Sequence, residues 1–275
     1  MSSNEALKIL HITDPHLHAD SDAELYGFKT YHSFRAVIQR ALDDQQWRPA
    51  AVLVTGDLVE DRSRQGYQHF RSVLEPLGLP ILCLPGNHDD PALMRQQLSG
   101  GDFSFCECRD IDRWRLIQLN SHVAGDEGGE LSASELARLE RELADAGDRF
   151  VLVSVHHQPI PMGSAWIDNC GLRNGPDLLS IVERHGHAKG IVWGHVHQAS
   201  DRQHGKLRML STPSTCAQFT PFTERCVMDT RPPGFRRINL EADGNISTEV
   251  LWLKDWSVAE RPPDSGAREK HTDPT

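Results

Sequence analysis

The chain has 275 residues, 38% hydrophobic and 25% charged, an ordinary globular balance with ample length for a buried core. A formal net charge of −10 excludes a general nucleic-acid binder, which needs a basic stripe, but not a small anion held at a locally positive centre. No stretch approaches the roughly 20 apolar residues of a membrane span. Residues 1–7 are polar and the six cysteines contain no C-x-x-C pair, so reduced thiols in a cytoplasm are expected.

Residues 7–13 read as a strand, and Phe34, Val37, Ile38, Ala41 and Leu42 at helical spacing predict a helix over 31–46. A strand at 51–55, a helix at 65–74 and a strand at 80–84 follow. Strands are expected at 103–108 and 114–120, separated by a turn at 110–113. Ser132 with Glu135 makes a capping box for a helix whose buried stripe is Leu136, Leu139 and Leu143. Then come a strand at 150–155, a helix at 178–184 and a strand at 190–193. The remainder is β-rich, with strands at 207–210, 235–240 and 247–253 and a hairpin turn at Asp243-Gly244. Strands alternating with helices imply a layered α/β fold, and the β-rich end implies a second sheet packed on the first. One domain over 1–253 is expected, with a polar, flexible tail over 254–275.

Five apolar strands end abruptly in metal-ligand residue types: Asp14-Pro15-His16, Gly56-Asp57, Gly86-Asn87-His88-Asp89, His156-His157 and Gly194-His195-Val196-His197. In open α/β sheets ligands collect beyond the carboxyl ends of strands, so five such ends side by side would pool their side chains in one cleft. Gly56, Gly86 and Gly194 permit sharp turns and close backbone approach there. A single D-x-H or G-H-x-H is weak on its own. Five ligand-bearing ends in one chain are not a coincidence of composition.

The order D-x-H, G-D, G-N-H-D, H, G-H-x-H resembles that of the calcineurin-like metallophosphoesterases, over roughly residues 7–253. Outer segments are similar to the bacterial class III 3′,5′-cyclic AMP phosphodiesterases: Leu58-Val59-Glu60-Asp61, Ser164-Ala165-Trp166, Gly194 to Gln198, Ser211-Thr212-Pro213-Ser214-Thr215-Cys216 and Pro233-Gly234-Phe235-Arg236. The resemblance implies a four-layer α-β-β-α sandwich with two packed mixed sheets. By the same resemblance Asp14, His16 and His197 hold one divalent ion, Asn87, His156 and His195 hold another, and Asp57 bridges both. The donors are nitrogen and oxygen without thiolate, which suits first-row ions, and the family analogy points to Fe2+ or Mn2+. His195 and His197 are two apart, so both can ligate only if the backbone bends, which Gly194 makes easier.

Two divalent ions less Asp14, Asp57 and a bridging hydroxide leave a charge of about +1, matched to a phosphodiester monoanion. The implied reaction is in-line attack by a metal-activated hydroxide, with two ions about 3.5–4 Å apart. The ions and Asn87 stabilise the phosphoryl oxygens, and His88 protonates the leaving 3′ oxygen. The expected substrate contacts are His16, Asp57, Asn87, His88 and His197. Asp89 reads either as a carboxylate orienting a histidine or as a helix N-cap before Pro91. His157 packs behind its strand or faces the cleft, while His18 and His122 read as ordinary. In the loop 161–174, Trp166 stacks on a purine or lies against a partner subunit, and Arg173 and Asn174 are candidate phosphate or base contacts.

The expected activity is hydrolysis of 3′,5′-cyclic AMP to 5′-AMP. The competing enzymatic reading is a glycerophosphodiesterase or a broad-specificity phosphodiesterase or phosphomonoesterase. The remote one is a non-catalytic scaffold of the same fold. The small cyclic nucleotide is the expected partner, with no nucleic-acid polymer and no membrane, and the class resemblance is compatible with a homodimer.

Overall fold

A computed structural model describes residues 5–254 and 256. In chain order the first elements are β1 (Leu7–Ile12), β2 (Glu24–Leu25), β3 (Phe28–Lys29), α1 (Thr30–Leu42), β4 (Ala51–Thr55), α2 (Arg64–Leu74) and β5 (Ile81–Leu84). Next are α3 (Pro91–Gln97), β6 (Phe103–Phe105), β7 (Cys108–Ile111), β8 (Trp114–Gln118), α4 (Ala133–Ala144) and β9 (Phe150–Ser154). The last are α5 (Ala165–Asp168), α6 (Gly175–Glu183), β10 (Ala188–Trp193), β11 (Ser200–His204), β12 (Leu207–Ser211), β13 (Gly234–Leu240) and β14 (Ile246–Trp252). The tail expected beyond residue 254 lies outside the described residues, save Trp256.

Two six-stranded mixed sheets form, in the orders β14-β13-β1-β4-β5-β6 and β11-β12-β10-β9-β8-β7. In the second sheet antiparallel pairs lie at both edges of a parallel middle; in the first, β14, β13 and β1 pair antiparallel and parallel pairs run from β1 to the β6 edge. Strand alternation explains the layering. In β1, Leu7 and Ile9 join Leu53, Trp114, Leu152, Val192 and Ile238 in an apolar layer between the sheets. Leu10 and Ile12 point the other way, to Phe34, Val37, Tyr67 and Phe70 of α1 and α2. The second sheet buries Val151, Val153 and Ile191 against Leu139, Leu143 and Leu178 of α4 and α6. Each such leucine or isoleucine contributes about 1.5–3 kcal/mol of burial. The product is the expected four-layer sandwich.

The segment expected as one strand over 103–108 is split. Phe103–Phe105 extends the first sheet beside β5, and Cys108–Ile111 pairs with β8 in the second. Cys106, at φ 50°, carries the left-handed kink between them. The turn expected at 110–113 therefore shortens to Asp112-Arg113. Strand β11, Ser-Asp-Arg-Gln-His, is an edge strand that alternates between half-buried and exposed positions; it has no apolar period to betray it. The capping box is half formed. Ser132 Oγ accepts from Glu135 N, but the Glu135 carboxylate turns to Asn120 N and Arg138. No helix of the described residues is long and apolar enough to cross a membrane, and no disulfide joins any of the six cysteines.

Candidate metal centre

Strands β1, β4 and β5 of the first sheet and β9 and β10 of the second end at one cleft. Asp14, His16, Asp57, Asn87, His156, His195 and His197 are all there and all buried, none more than 7% exposed. Their donor atoms converge in overlapping groups, Asp14 with His16 and His197, and Asp14 with Asp57 and His156. Asp57 Oδ2 lies between the two sides, 3.8 Å from His16 Nε2 and 3.3 Å from His156 Nε2.

The backbone is strained at this site. Asp14, His16, Asp57, His195 and His197 have φ of 51°, 46°, 51°, 65° and 47°, values that L side chains rarely adopt. The bend that lets His195 and His197 face the same cleft is therefore in the histidines themselves. Of the two uses expected of Gly194, a bend and a close approach, it serves the close approach. A Cβ there would meet Thr13 Oγ1 at 2.0 Å and Asp14 Oδ2 at 2.7 Å, so the glycine lets β10 close on β1. Gly56 combines both needs, with φ +93° and a would-be Cβ 2.5 Å from His156 Nδ1.

Each histidine has one ring nitrogen committed. His16 Nδ1 lies 2.7 Å from Glu60 Oε2, and His156 Nδ1 lies 2.6 Å from the Thr55 carbonyl. His197 Nδ1 is 2.8 Å from the Ala217 carbonyl, and His195 Nε2 is 3.1 Å from that of Cys170. Carbonyl and carboxylate oxygens only accept, so these nitrogens carry the hydrogen. In neutral rings the opposite nitrogens are then lone pairs, and they face other acceptors. His16 Nε2 is 3.1 Å from His197 Nε2, and His156 Nε2 is 3.1 Å from Asn87 Oδ1. Lone pair against lone pair is repulsive, and a cation between them converts repulsion into coordination. The residues thus fit a pair of divalent ions.

Electrostatics agree. Burial works to raise the Asp57 carboxyl, but His156, His88 and His16 outweigh it and hold it well below its usual range. Asp14 is lowered likewise, with burial overcome by His197 and His156. Burial pulls His156 down, but Asp57 outweighs it and carries the ring to about 9. His195 drops to about 3, through burial and the neighbouring His156.

His88 sits at the rim, its side chain 38% exposed, with its backbone N–H donated to Asp57 Oδ1 at 2.9 Å. Its Nδ1 is 3.0 Å from Glu60 Oε2. Burial lowers its pKa, but Asp57 and Glu60 more than offset this and raise it to about 9. Glu60 is the residue that sequence reasoning missed. One carboxylate oxygen serves both His16 and His88. The available signal was its place three residues after Asp57, in a segment quoted above only for its resemblance.

Asp89 takes neither expected role. Its oxygens accept from the backbone N–H groups of Leu58, Val59 and Gly86 and from Tyr67 Oη, tying the loops after β4 and β5 together. Burial and Asp57 raise its pKa to about 6 against those hydrogen bonds. The N-cap of α3 is Asp90. His157 is fully buried beside the cluster, with Nδ1 2.7 Å from Ser121 Oγ and its ring 4.7 Å from that of His195, so that it groups with His156 and His195. Trp166 is half-buried edge-on against Phe219, whose ring stacks on His197 at 4.6 Å, so the indole backs a ligand. Arg173 pairs with Asp126, and Asn174 bonds the Leu131 backbone; both brace the 126–131 loop. His18 lies outside the cluster, with its carbonyl 3.1 Å from His69 Nδ1. His122 is half-buried near Arg62, and burial and that charge lower its pKa.

Comparisons with known proteins agree with this geometry. The chain is 38% identical over 256 residues to the 3′,5′-cyclic adenosine monophosphate phosphodiesterase CpdA of Escherichia coli (strain K12), covering 93% of each protein. It is 36% identical over 254 residues to the protein of the same name from Pseudomonas aeruginosa, covering 92% and 93%. Among solved structures, a dimetal phosphatase from Danio rerio superposes with a TM-score of 0.66 at 13% identity, over 91% of this chain and 100% of that one. GAP50, the anchor in the inner membrane complex of Plasmodium, superposes with a TM-score of 0.63 at 11% identity, over 93% and 87%. At such identities the likeness shows the fold alone. The sequence profile described as calcineurin-like phosphoesterase matches residues 7–199, a family that uses a dinuclear divalent metal centre. The chain belongs to the calcineurin-like phosphoesterase family.

Proposed function

We propose that this protein hydrolyses 3′,5′-cyclic AMP to 5′-AMP at two divalent ions held by Asp14, His16, Asp57, Asn87, His156, His195 and His197. The observation that carries this reading is the convergence of donor atoms around Asp57, with His16 Nε2 3.1 Å from His197 Nε2 and His156 Nε2 3.1 Å from Asn87 Oδ1. Relatives that span nearly the whole chain and are named for cyclic AMP hydrolysis supply the substrate. The all-nitrogen-and-oxygen donor set suits Mn2+ or Fe2+.

When bound, the ion pair supplies a water-derived nucleophile at neutral pH and polarises the phosphoryl oxygens. The remaining work falls to side chains. Asp57, flanked by imidazoles of both sheets, stays ionised and fixes the spacing of the two subsites. Asn87 turns its carbonyl oxygen toward His156, which leaves its amide N–H for a phosphoryl oxygen. Glu60 holds the Nδ1–H of His88, so Nε2 carries the transferable proton. The Glu60 carboxylate favours the protonated ring, and His88 delivers that proton to O3′ as the P–O3′ bond breaks.

The fold itself also serves a protein described as an anchor, so the intact donor set, not the sandwich, separates catalysis from scaffolding. The test is incubation of purified, manganese- or iron-loaded protein with cyclic AMP while 5′-AMP is followed. Steady 5′-AMP formation is expected. Absence of turnover with both ions bound, or faster turnover of glycerophosphodiesters, would reassign the substrate.

A further inference from the structure

We infer that Arg236 and His11 form a positioning pair that sets the separation of the two sheets beneath the metal centre, and hence the spacing of the ligands. Arg236 is 2% exposed and His11 fully buried. They face one another across the β1–β13 ladder. Alternation puts them in the layer between the sheets, in line with Ile9, Ile238 and Leu240. A cation in such a layer is costly without compensation, and no partner of Arg236 is a carboxylate. All are neutral oxygens drawn from both sheets.

Within its own sheet, Arg236 Nη1 donates to Thr248 Oγ1 of β14 at 3.1 Å. Toward the other sheet, Nη2 donates to the carbonyls of Ser200 (2.9 Å) and Ser211 (2.7 Å), a cross-strand pair of β11 and β12. Nε donates to Thr212 Oγ1 at 3.3 Å. The path continues to the ligands. Thr212 Oγ1 is 2.7 Å from His11 Nδ1, and His11 Nε2 is 2.9 Å from Thr55 Oγ1. The Thr55 carbonyl accepts from ligand His156 at 2.6 Å, and Thr13 Oγ1, 3.3 Å from that carbonyl, donates to Asp14 at 2.6 Å. Thr212 N donates to the Trp193 carbonyl, two residues before ligand His195.

The geometry requires such a brace. The first sheet presents Asp14, His16, Asp57 and Asn87, and the second presents His156, His195 and His197. Two of the convergent groups draw on both sheets, Asp14 and His16 with His197, and Asp14 and Asp57 with His156. Apolar packing sets the sheet separation only loosely, because it has no direction. A guanidinium with hydrogen bonds to fixed oxygens of both sheets sets it closely.

The test is Mn2+ binding to metal-stripped protein by titration calorimetry. It is combined with steady-state kinetics on bis(p-nitrophenyl) phosphate and with thermal unfolding of the metal-free form. Arg236→Met should weaken the more weakly held Mn2+ and lower kcat by about tenfold each, the scale seen when groups behind metal ligands are removed. KM should stay within about twofold, since the pair touches no substrate. Arg236→Lys, which keeps a cation and some donors, should fall between. Thr212→Val, near-isosteric, cuts the link to His11 and should weaken Mn2+ in the same direction; it decides the matter if Arg236→Met does not fold. A lowered unfolding temperature with unchanged Mn2+ affinity and kcat would show a purely structural role and overturn the inference. The inference rests on the proposed ligand set but not on the substrate. Wild-type protein that binds no Mn2+ would sink that ligand set, whereas wild-type binding matched by Arg236→Met and Thr212→Val would sink only the positioning role.

Discussion

The two sheets bring different chemistry to one cleft. The first contributes the oxygen donors Asp14, Asp57 and Asn87 together with His16, and Asp89 ties the loops of Asp57 and Asn87 together through backbone amides. The second contributes imidazoles alone, His156, His195 and His197, each with one nitrogen held by a backbone carbonyl. Negative charge therefore comes from one side and imidazole nitrogens from the other. Neither half can hold a pair of ions by itself.

The largest expected effect comes from the residue between the halves. Asp57→Ala should lower kcat/KM by about a thousandfold or more and reduce bound metal, because it removes the shared ligand and one of the two charges. Metal content and kcat measured on the same preparation check this; full metal occupancy would contradict the bridging role. His88→Ala should cost about a hundredfold in kcat while leaving metal content unchanged, as loss of a general acid does. A rate unaffected by that change would remove His88 from the chemistry.

The inter-sheet layer gives a smaller and independent effect. Burial and Arg236 depress His11 to about 3, from an ordinary 6.5. A depressed folded-state pKa means stability that is present above pH 6.5 and lost as pH falls toward 3. By pH 5 the loss from His11 is about 2 kcal/mol. Urea unfolding of the metal-free protein at pH 7.5 and 5 should show it, and His11→Gln should have a shallower dependence. Equal slopes for the two proteins would place the titrating group elsewhere.

The smallest effect sharpens the first sheet's role. Glu60→Gln keeps an acceptor for His16 and His88 but removes the charge, and should cost about tenfold in kcat. It should also shift the basic limb of the pH–rate profile to lower pH, since Glu60 helps raise His88. An unmoved limb would separate Glu60 from the acid.

Much of this was legible because the proposed ligands sit at strand ends, where an apolar run and its polar terminus are adjacent in sequence. Asp14, Asp57 and His156 needed only local reading. What was hidden depends on contacts distant in sequence. Glu60 acts on His88, 28 residues away, and on His16, 44 away. Asp89 was misread because Pro91 signals a helix start, yet the cap is Asp90 and Asp89 turns inward to Leu58 and Tyr67. The split at Cys106 was invisible because no glycine or proline marks residues 103–108 while the chain changes sheets. Arg236 was seen only as part of a resemblance, since nothing local announces a cation buried between sheets.

The lone-pair geometry is tested most directly by an anomalous-scattering crystal structure of the manganese-loaded protein with 5′-AMP. Two manganese peaks about 3.5–4 Å apart are expected, with an Asp57 oxygen between them, His16 and His197 on one ion, His156, His195 and Asn87 on the other, and His88 beside the 3′ oxygen. A single peak, or two peaks that leave His16 Nε2 and His197 Nε2 facing each other without an ion, would contradict it.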